Sequence, residues 1–180
     1  MDEPLTPAQD RTRRTILRAA VRVLSANRSA GIREVAEEAD VARSTVHRYF
    51  PDRPALESAI DAFVEAEYAD VAAGARLDEG SGLDALLRFG SELFDGLDVF
   101  GWWFLLHHDE PDDEPLLLGV ARRGISDGSI DGEQPAWWVA DTLWSLLHSS
   151  HLALQTREVS RGEVRALLMH SLRRAVAASD

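Results

Sequence analysis

Apolar side chains recur at steps of three and four residues through almost the whole of this 180-residue chain. That is the period of one face of an α-helix, not the two-residue alternation of a half-buried strand. Ile16, Leu17, Ala20, Val23 and Leu24 open the series and predict a first helix over about Thr12 to Ser25. Asn27 to Gly31 reads as a turn. Ile32, Val35, Ala36 and Ala39 mark a short second helix; after a break at Asp40 and Val41, a third runs from about Arg43 to Tyr49 with Val46 and Phe50 as inward anchors. Pro51 ends it. Asp52 can accept from the free amides of the next helix, and Pro54 is tolerated in that helix's first turn, where its missing donor is not needed. Leu56, Ile60, Phe63, Val64 and Val71 form the stripe of a long fourth helix. Beyond a loop from Gly74 to Gly82, helices are predicted over about Leu83 to Leu97, Val99 to His108, Leu116 to Ser126 and Pro135 to Gln155. The last runs from Ser160 to about Ala177 and opens with Ser160 and Glu163 at capping-box spacing.

The expected fold class is therefore all-α with about nine helices. Two short helices joined by a tight turn make a helix-turn-helix. The division expected is a helix-turn-helix domain over residues 1–53 and a second helical domain over residues 54–180.

Composition narrows the class further. With 45% hydrophobic residues and 28% charged, the chain has enough apolar surface to build a core and is not a disordered tail. It has no cysteine, which excludes disulfides, thiolate metal sites and cysteine redox switches. Met1 to Asp10 is polar with two prolines, and the longest apolar run, Phe100 to Leu106, is far too short to span a bilayer. A cytoplasmic location without a membrane partner is expected. No nucleophile elbow, phosphate-binding loop or HExxH motif appears, so an enzyme is not expected.

The net charge of −12 hides an asymmetry. Residues 1–53 carry ten arginines against eight acids, +2, whereas residues 54–180 carry nine arginines against twenty-three acids, −14. Such a remainder repels nucleic acid, and the arginine-bearing end attracts phosphate if its charges share a face. If Val46 and Phe50 point inward, Arg43, Ser44, Thr45, His47 and Arg48 occupy the outer face of the third helix. Those are base-edge and phosphate donors.

The stretch "IREVAEEADVARSTVHRYFPDRPAL" resembles the DNA-binding signature of the TetR family of transcriptional regulators. Val35-Ala36, Val41, Arg43, Thr45-Val46, Tyr49-Phe50, Arg53 and Ala55-Leu56 fall where the family pattern expects them, and the likeness covers about Arg14 to Ile60. It implies that Arg43, Ser44, Thr45, His47, Arg48 and Tyr49 meet double-stranded operator DNA, that Arg33 approaches the backbone, and that Arg53 holds a phosphate. The sequence departs from the pattern in four places. Asp40 replaces the turn glycine, Ala42 the serine cap and His47 the tyrosine that contacts DNA in the family, and the loop Ala26 to Gly31 is shorter than usual. Asp enters the left-handed region more readily than most residues, whereas Ala at the cap should cost the helix roughly 1 kcal/mol.

The second half is rich in aromatics. Trp102, Trp103 and His107 lie on one predicted helix; Trp137, Trp144, His148 and His151 follow at spacings of seven, four and three on another. With Phe63 and Phe94 they are the candidate walls of a cavity for an apolar or aromatic small molecule. His107, His108, Asp109, His148 and His151 also allow a metal reading, but they show no defined ligand motif, so neither metal nor cofactor is expected. The last two helices carry more apolar and small residues than one core needs. Leu143, Ser145, Leu146, Ser149, Leu152, Ala153, Leu167, Leu168, Ser171 and Leu172 are the candidates for a homodimer interface. The function expected is a ligand-responsive repressor that binds a palindromic operator as a homodimer and is released by its effector. A helical interaction module and a metal-responsive regulator remain as alternatives.

Overall fold

The computed structural model describes residues 5–106 and 115–178, the side chains of 104–106 excepted. Among them are nine helices: α1 (Pro7–Ala26), α2 (Ile32–Glu38), α3 (Arg43–Tyr49), α4 (Arg53–Gly74), α5 (Gly82–Asp95), α6 (Leu97–Leu106), α7 (Pro115–Ser126), α8 (Ala136–Thr156) and α9 (Arg161–Val176). The only bridge of β type among them pairs Ile130 with Ala177. Helix α1 starts five residues earlier than its apolar period predicts. Thr6 and Gln9 close a capping box there and Pro7 sits in the first turn, so a polar segment becomes helical through its caps.

These helices form two compact units. One contains the described residues up to Glu67 together with Asp98–Leu106, and the other Tyr68–Leu97 together with residues 115–178. In the first, Ile16, Leu17, Ala20 and Leu24 of α1 are buried, as are Val35 and Ala36 of α2, Val46 and Phe50 of α3 and its cap, and Leu56, Ile60, Phe63 and Val64 of α4. The predicted spacing is therefore the core of this unit. Asp40 adopts a positive φ of 52° in the turn between α2 and α3. Ala42 stands at the N-cap of α3 and makes no side-chain cap bond, so packing of Val46 and Phe50 has to hold that short helix.

The second unit is a bundle of α5, α7, α8 and α9 around Leu86, Phe89, Leu93, Phe94, Leu117, Val139, Leu143, Leu147, Leu168 and Leu172. Helices α5 and α7 meet at Gly82 and Gly124, where a Cβ added to Gly82 would fall 2.2 Å from the Gly124 backbone. Asp127 fastens the same corner. It accepts from the Gly82 amide at 2.8 Å and the Ser129 amide at 2.9 Å, and Ser129 Oγ accepts from the Leu83 amide at 3.0 Å. Bonds from the Ser129 hydroxyl and these amides hold the Asp127 carboxyl below its ordinary range.

Two predictions follow from these contacts. Gly82→Ala forces backbone apart and should destabilise by about 1–3 kcal/mol or more, whereas Gly119→Ala, in open space on α7, should stabilise by about 0.5–1 kcal/mol; urea midpoints measure both. The carboxyls of Glu34, Glu163 and Asp127 are all shifted down by hydrogen bonds, Glu34 from backbone amides and Glu163 from the Ser160 hydroxyl and amide. A carboxyl depressed in the folded state contributes stability above its unfolded pKa and loses it as the pH falls through the folded value. The urea midpoint should therefore drop as the pH falls below about 4, and drop less for Glu163→Gln.

Candidate nucleic-acid interface and effector site

Helix α3 is seven residues long and buries Val46. With Phe50 buried behind it, the helix has one side left for solvent. Arg43, Ser44, His47 and Arg48 are exposed there, and Thr45 and Tyr49 are partly so. The Arg48 guanidinium lies 5.4 Å from the centre of the Tyr49 ring, which stiffens it without using its donors. His47 places Nδ1 3.4 Å from the Pro51 carbonyl oxygen. Arg33, 70% exposed on α2, reaches Glu34 and Glu37 only at 3.7 and 3.9 Å. The outer face of α3 thus presents guanidinium, hydroxyl and imidazole groups together.

Arg53 has a different setting. Its Nε donates to Glu57 at 2.7 Å, and its other nitrogens donate to the carbonyls of Ala30 and Arg28. The guanidinium pins the loop before α2 to the start of α4. Asp52 caps the same helix, accepting from the Ala55 amide at 2.8 Å.

The candidate effector residues divide between the units. In the first, Phe63 and Trp102 are buried, and Trp102 Nε1 donates to Asp61 of α4 at 2.8 Å. Trp103 is partly exposed and lies 5.9 Å from Phe100 between ring centres. In the second, Phe94 is fully buried beneath the Arg161 guanidinium. Trp144 stacks on Tyr68 at 6.2 Å and 26°, and Tyr68 meets Phe89 edge-on at 5.6 Å. His151 is half-buried and Gln155 Nε2 lies 2.8 Å from its Nε2. Burial, then the neighbouring His148, pushes its pKa down. His107 lies outside the described residues.

The residues of the predicted stripe on α8 differ in exposure, with Trp144 and His151 partly buried. Trp137 is 51% exposed, paired edge-on with Trp138, and His148 is exposed as well. Helix α8 instead turns Val139, Ala140, Leu143 and Leu147 into the bundle. Two residues that the sequence reading missed belong with these aromatics. Tyr68 continues the Ile60–Val64 step of the α4 stripe and was detectable by that spacing. Asp61 carries no such signal, because an acid on a long helix normally reads as solvated surface.

Of the candidate interface residues, Leu143, Leu168 and Leu172 are a correction: each is at most 2% exposed, taken into the core of a single chain. Leu152 and Leu167, at 52% and 62% exposure, and the exposed Ser145 and Ser149 lie outside it. Leu146, Ala153 and Ser171 are partly exposed. Among the described residues no three histidines or acids come together as a metal site would need, and no helix is long and apolar enough to cross a membrane.

Residues 16–60 match the family of bacterial regulatory proteins, tetR family. The chain is 45% identical over 161 residues to the HTH-type transcriptional repressor LfrR of Mycolicibacterium smegmatis, covering 81% of this chain and 80% of that one. Pairing by structure gives 26% identity to two solved forms of LfrR from Mycobacterium smegmatis. The first covers 92% of this chain and 99% of the other with a TM-score of 0.64. The second, in complex with proflavine, covers 96% and 99% with a TM-score of 0.69. With these matches the chain belongs to the TetR family as a DNA-binding transcriptional repressor, not an enzyme.

Proposed function

We propose that this repressor binds a palindromic operator as a homodimer, reads it with the outer face of α3, and is released by a small planar aromatic effector. The observation that carries the reading is the exposure of Arg43, Ser44, His47 and Arg48 on one helix whose opposite side is sealed by Val46 and Phe50. Guanidinium groups on a short exposed helix suit guanine edges and phosphates. Thr45 and Tyr49 border that face, and Arg33 stands ready for the backbone at the start of α2.

The homodimer is supported by Leu152 on α8 and Leu167 on α9, large apolar side chains left more than half exposed in one chain. Two copies joined by a two-fold axis would present two recognition helices to an inverted repeat with half-sites about one helical turn apart. The effector reading is supported by the stack of Trp144 on Tyr68, beside which a planar ring system could lie. It is also supported by the proflavine bound to LfrR. Release requires that the effector bind the DNA-incompetent arrangement more tightly than the competent one.

With a duplex selected from a randomised library, Arg43→Ala and Arg48→Ala should each weaken binding by about 1–3 kcal/mol and relax the preference at one operator position. Arg53→Ala should weaken every sequence alike and also lower the melting temperature, because it releases the loop before α2. Wild-type affinity in the two α3 variants would contradict the reading.

Proflavine should quench tryptophan fluorescence and dissociate the selected duplex over the same concentration range. Trp144→Ala should weaken both effects by roughly two- to ten-fold, the value of a lost aromatic stack. Quenching without dissociation would contradict the switch.

A further inference from the structure

Helix α1 carries five arginines, and carboxylates take three of them. Arg14 lies 3.7 Å from Asp10 and 3.5 Å from Glu67, Arg18 2.9 Å from Glu67, and Arg22 2.8 Å from Glu38. Arg11 is exposed. Arg13 differs from all of them in register. It stands three and four residues before Ile16 and Leu17, at the end of the buried stripe of α1, and is itself partly buried. A cation in such a register is normally matched by a carboxylate. Among the described residues none lies within ion-pair reach of Arg13, whose guanidinium sits 5.8 Å from the centre of the Phe50 ring. A ring face attracts the charge, but it leaves the five N–H donors of the guanidinium open to another acceptor.

That ring marks the end of α3. Phe50 is the buried C-cap of the helix, its ring centre lies 6.3 Å from that of Tyr49, and the Arg48 guanidinium lies 5.4 Å from the centre of the Tyr49 ring. Arg13, Phe50, Tyr49 and Arg48 therefore form one continuous run of contacts with a guanidinium at each end. We propose that Arg13 is a further DNA contact: held against Phe50, it clasps a backbone phosphate beside the last turn of α3. This rests on the reading of α3 as the DNA-facing helix, and it adds α1 to the surface that docks. A guanidinium presents paired N–H donors in one plane, which match the oxygens of a phosphate. The phosphate also supplies the negative charge that the fold leaves out at Arg13. Such a contact carries no base information, so it sets affinity and position on the duplex rather than sequence preference.

The test uses the full chain and a duplex selected by it from a randomised library, with affinity for that duplex and for an unrelated one measured across a salt series. Arg13→Met keeps an unbranched apolar stem against Phe50 and removes the charge. It should weaken binding to both duplexes alike, by about ten-fold, and flatten the slope of log-affinity against log-salt by about one phosphate contact. Arg13→Lys, which keeps the charge, should retain the wild-type slope. Arg14→Met removes the same charge one residue away, where Asp10 and Glu67 already oppose it, and should also retain that slope. The melting temperature of each variant without DNA separates lost packing from lost charge. Wild-type affinity and slope in Arg13→Met overturn the proposal while leaving the operator reading intact. An equal flattening in Arg13→Met and Arg14→Met overturns it in favour of diffuse charge. Weaker binding with an unchanged slope and a lowered melting temperature overturns it in favour of packing alone. Failure to enrich any duplex removes both the operator reading and this proposal.

Discussion

The burial of Val46 and Phe50, with α3 packed on α2 and Arg13 of α1 over the Phe50 ring, is the constraint on which the rest of the DNA-binding unit depends. A helix of seven residues has too few internal hydrogen bonds to persist alone, and α3 starts without a side-chain cap at Ala42. Its stability is tertiary. Because residues 46 and 50 lie one turn apart, sealing them decides which side chains remain outside, and those are Arg43, Ser44, His47 and Arg48. The same apolar contact that makes the helix therefore aims its donors.

Two local devices keep that helix in register. Asp40 takes the positive φ that reverses the chain between α2 and α3, a conformation costing a non-glycine residue of order 1 kcal/mol that the packed elements on either side hold in place. Arg53 links the loop before α2 to the first turn of α4 through Glu57 and two carbonyls. A charged group shared among three acceptors fixes a loop more firmly than a single neutral bond. Helix α6 belongs to the same unit although it follows α5 in the chain, and Trp102 secures it by donating to Asp61. A buried indole N–H without such an acceptor would lose the full cost of its desolvation.

The helical fold was legible because apolar spacing and core burial report the same quantity. Ile16, Leu17, Val35, Val46, Leu56 and Ile60 are all buried as their period required. The start of α1 was not, since Thr6 and Gln9 act through caps rather than through an apolar face. The α3 face could be read because both of its anchors are large and apolar. The aromatic half was harder. Trp137 and Trp144 share a helix and a residue type, yet one is half exposed and the other stacks on Tyr68. Large apolar side chains fit core, pocket and interface alike, so their identity does not separate these roles. Leu143 and Leu152 make the same point, one sealed in the bundle and the other open, because which side of α8 meets α9 depends on packing angles that a one-dimensional pattern does not encode.

Phosphate-ethylation interference on a duplex bound by the intact repressor tests most directly whether α3 faces DNA from each half of a two-fold pair. Two symmetric clusters of interfering phosphates should appear on one face of the duplex, with centres about one helical turn apart or slightly more. Removal of Arg43 and Arg48 should erase interference from the phosphates flanking the bases they read. A single asymmetric cluster, or uniform weak interference along the duplex, would contradict a paired, α3-led complex.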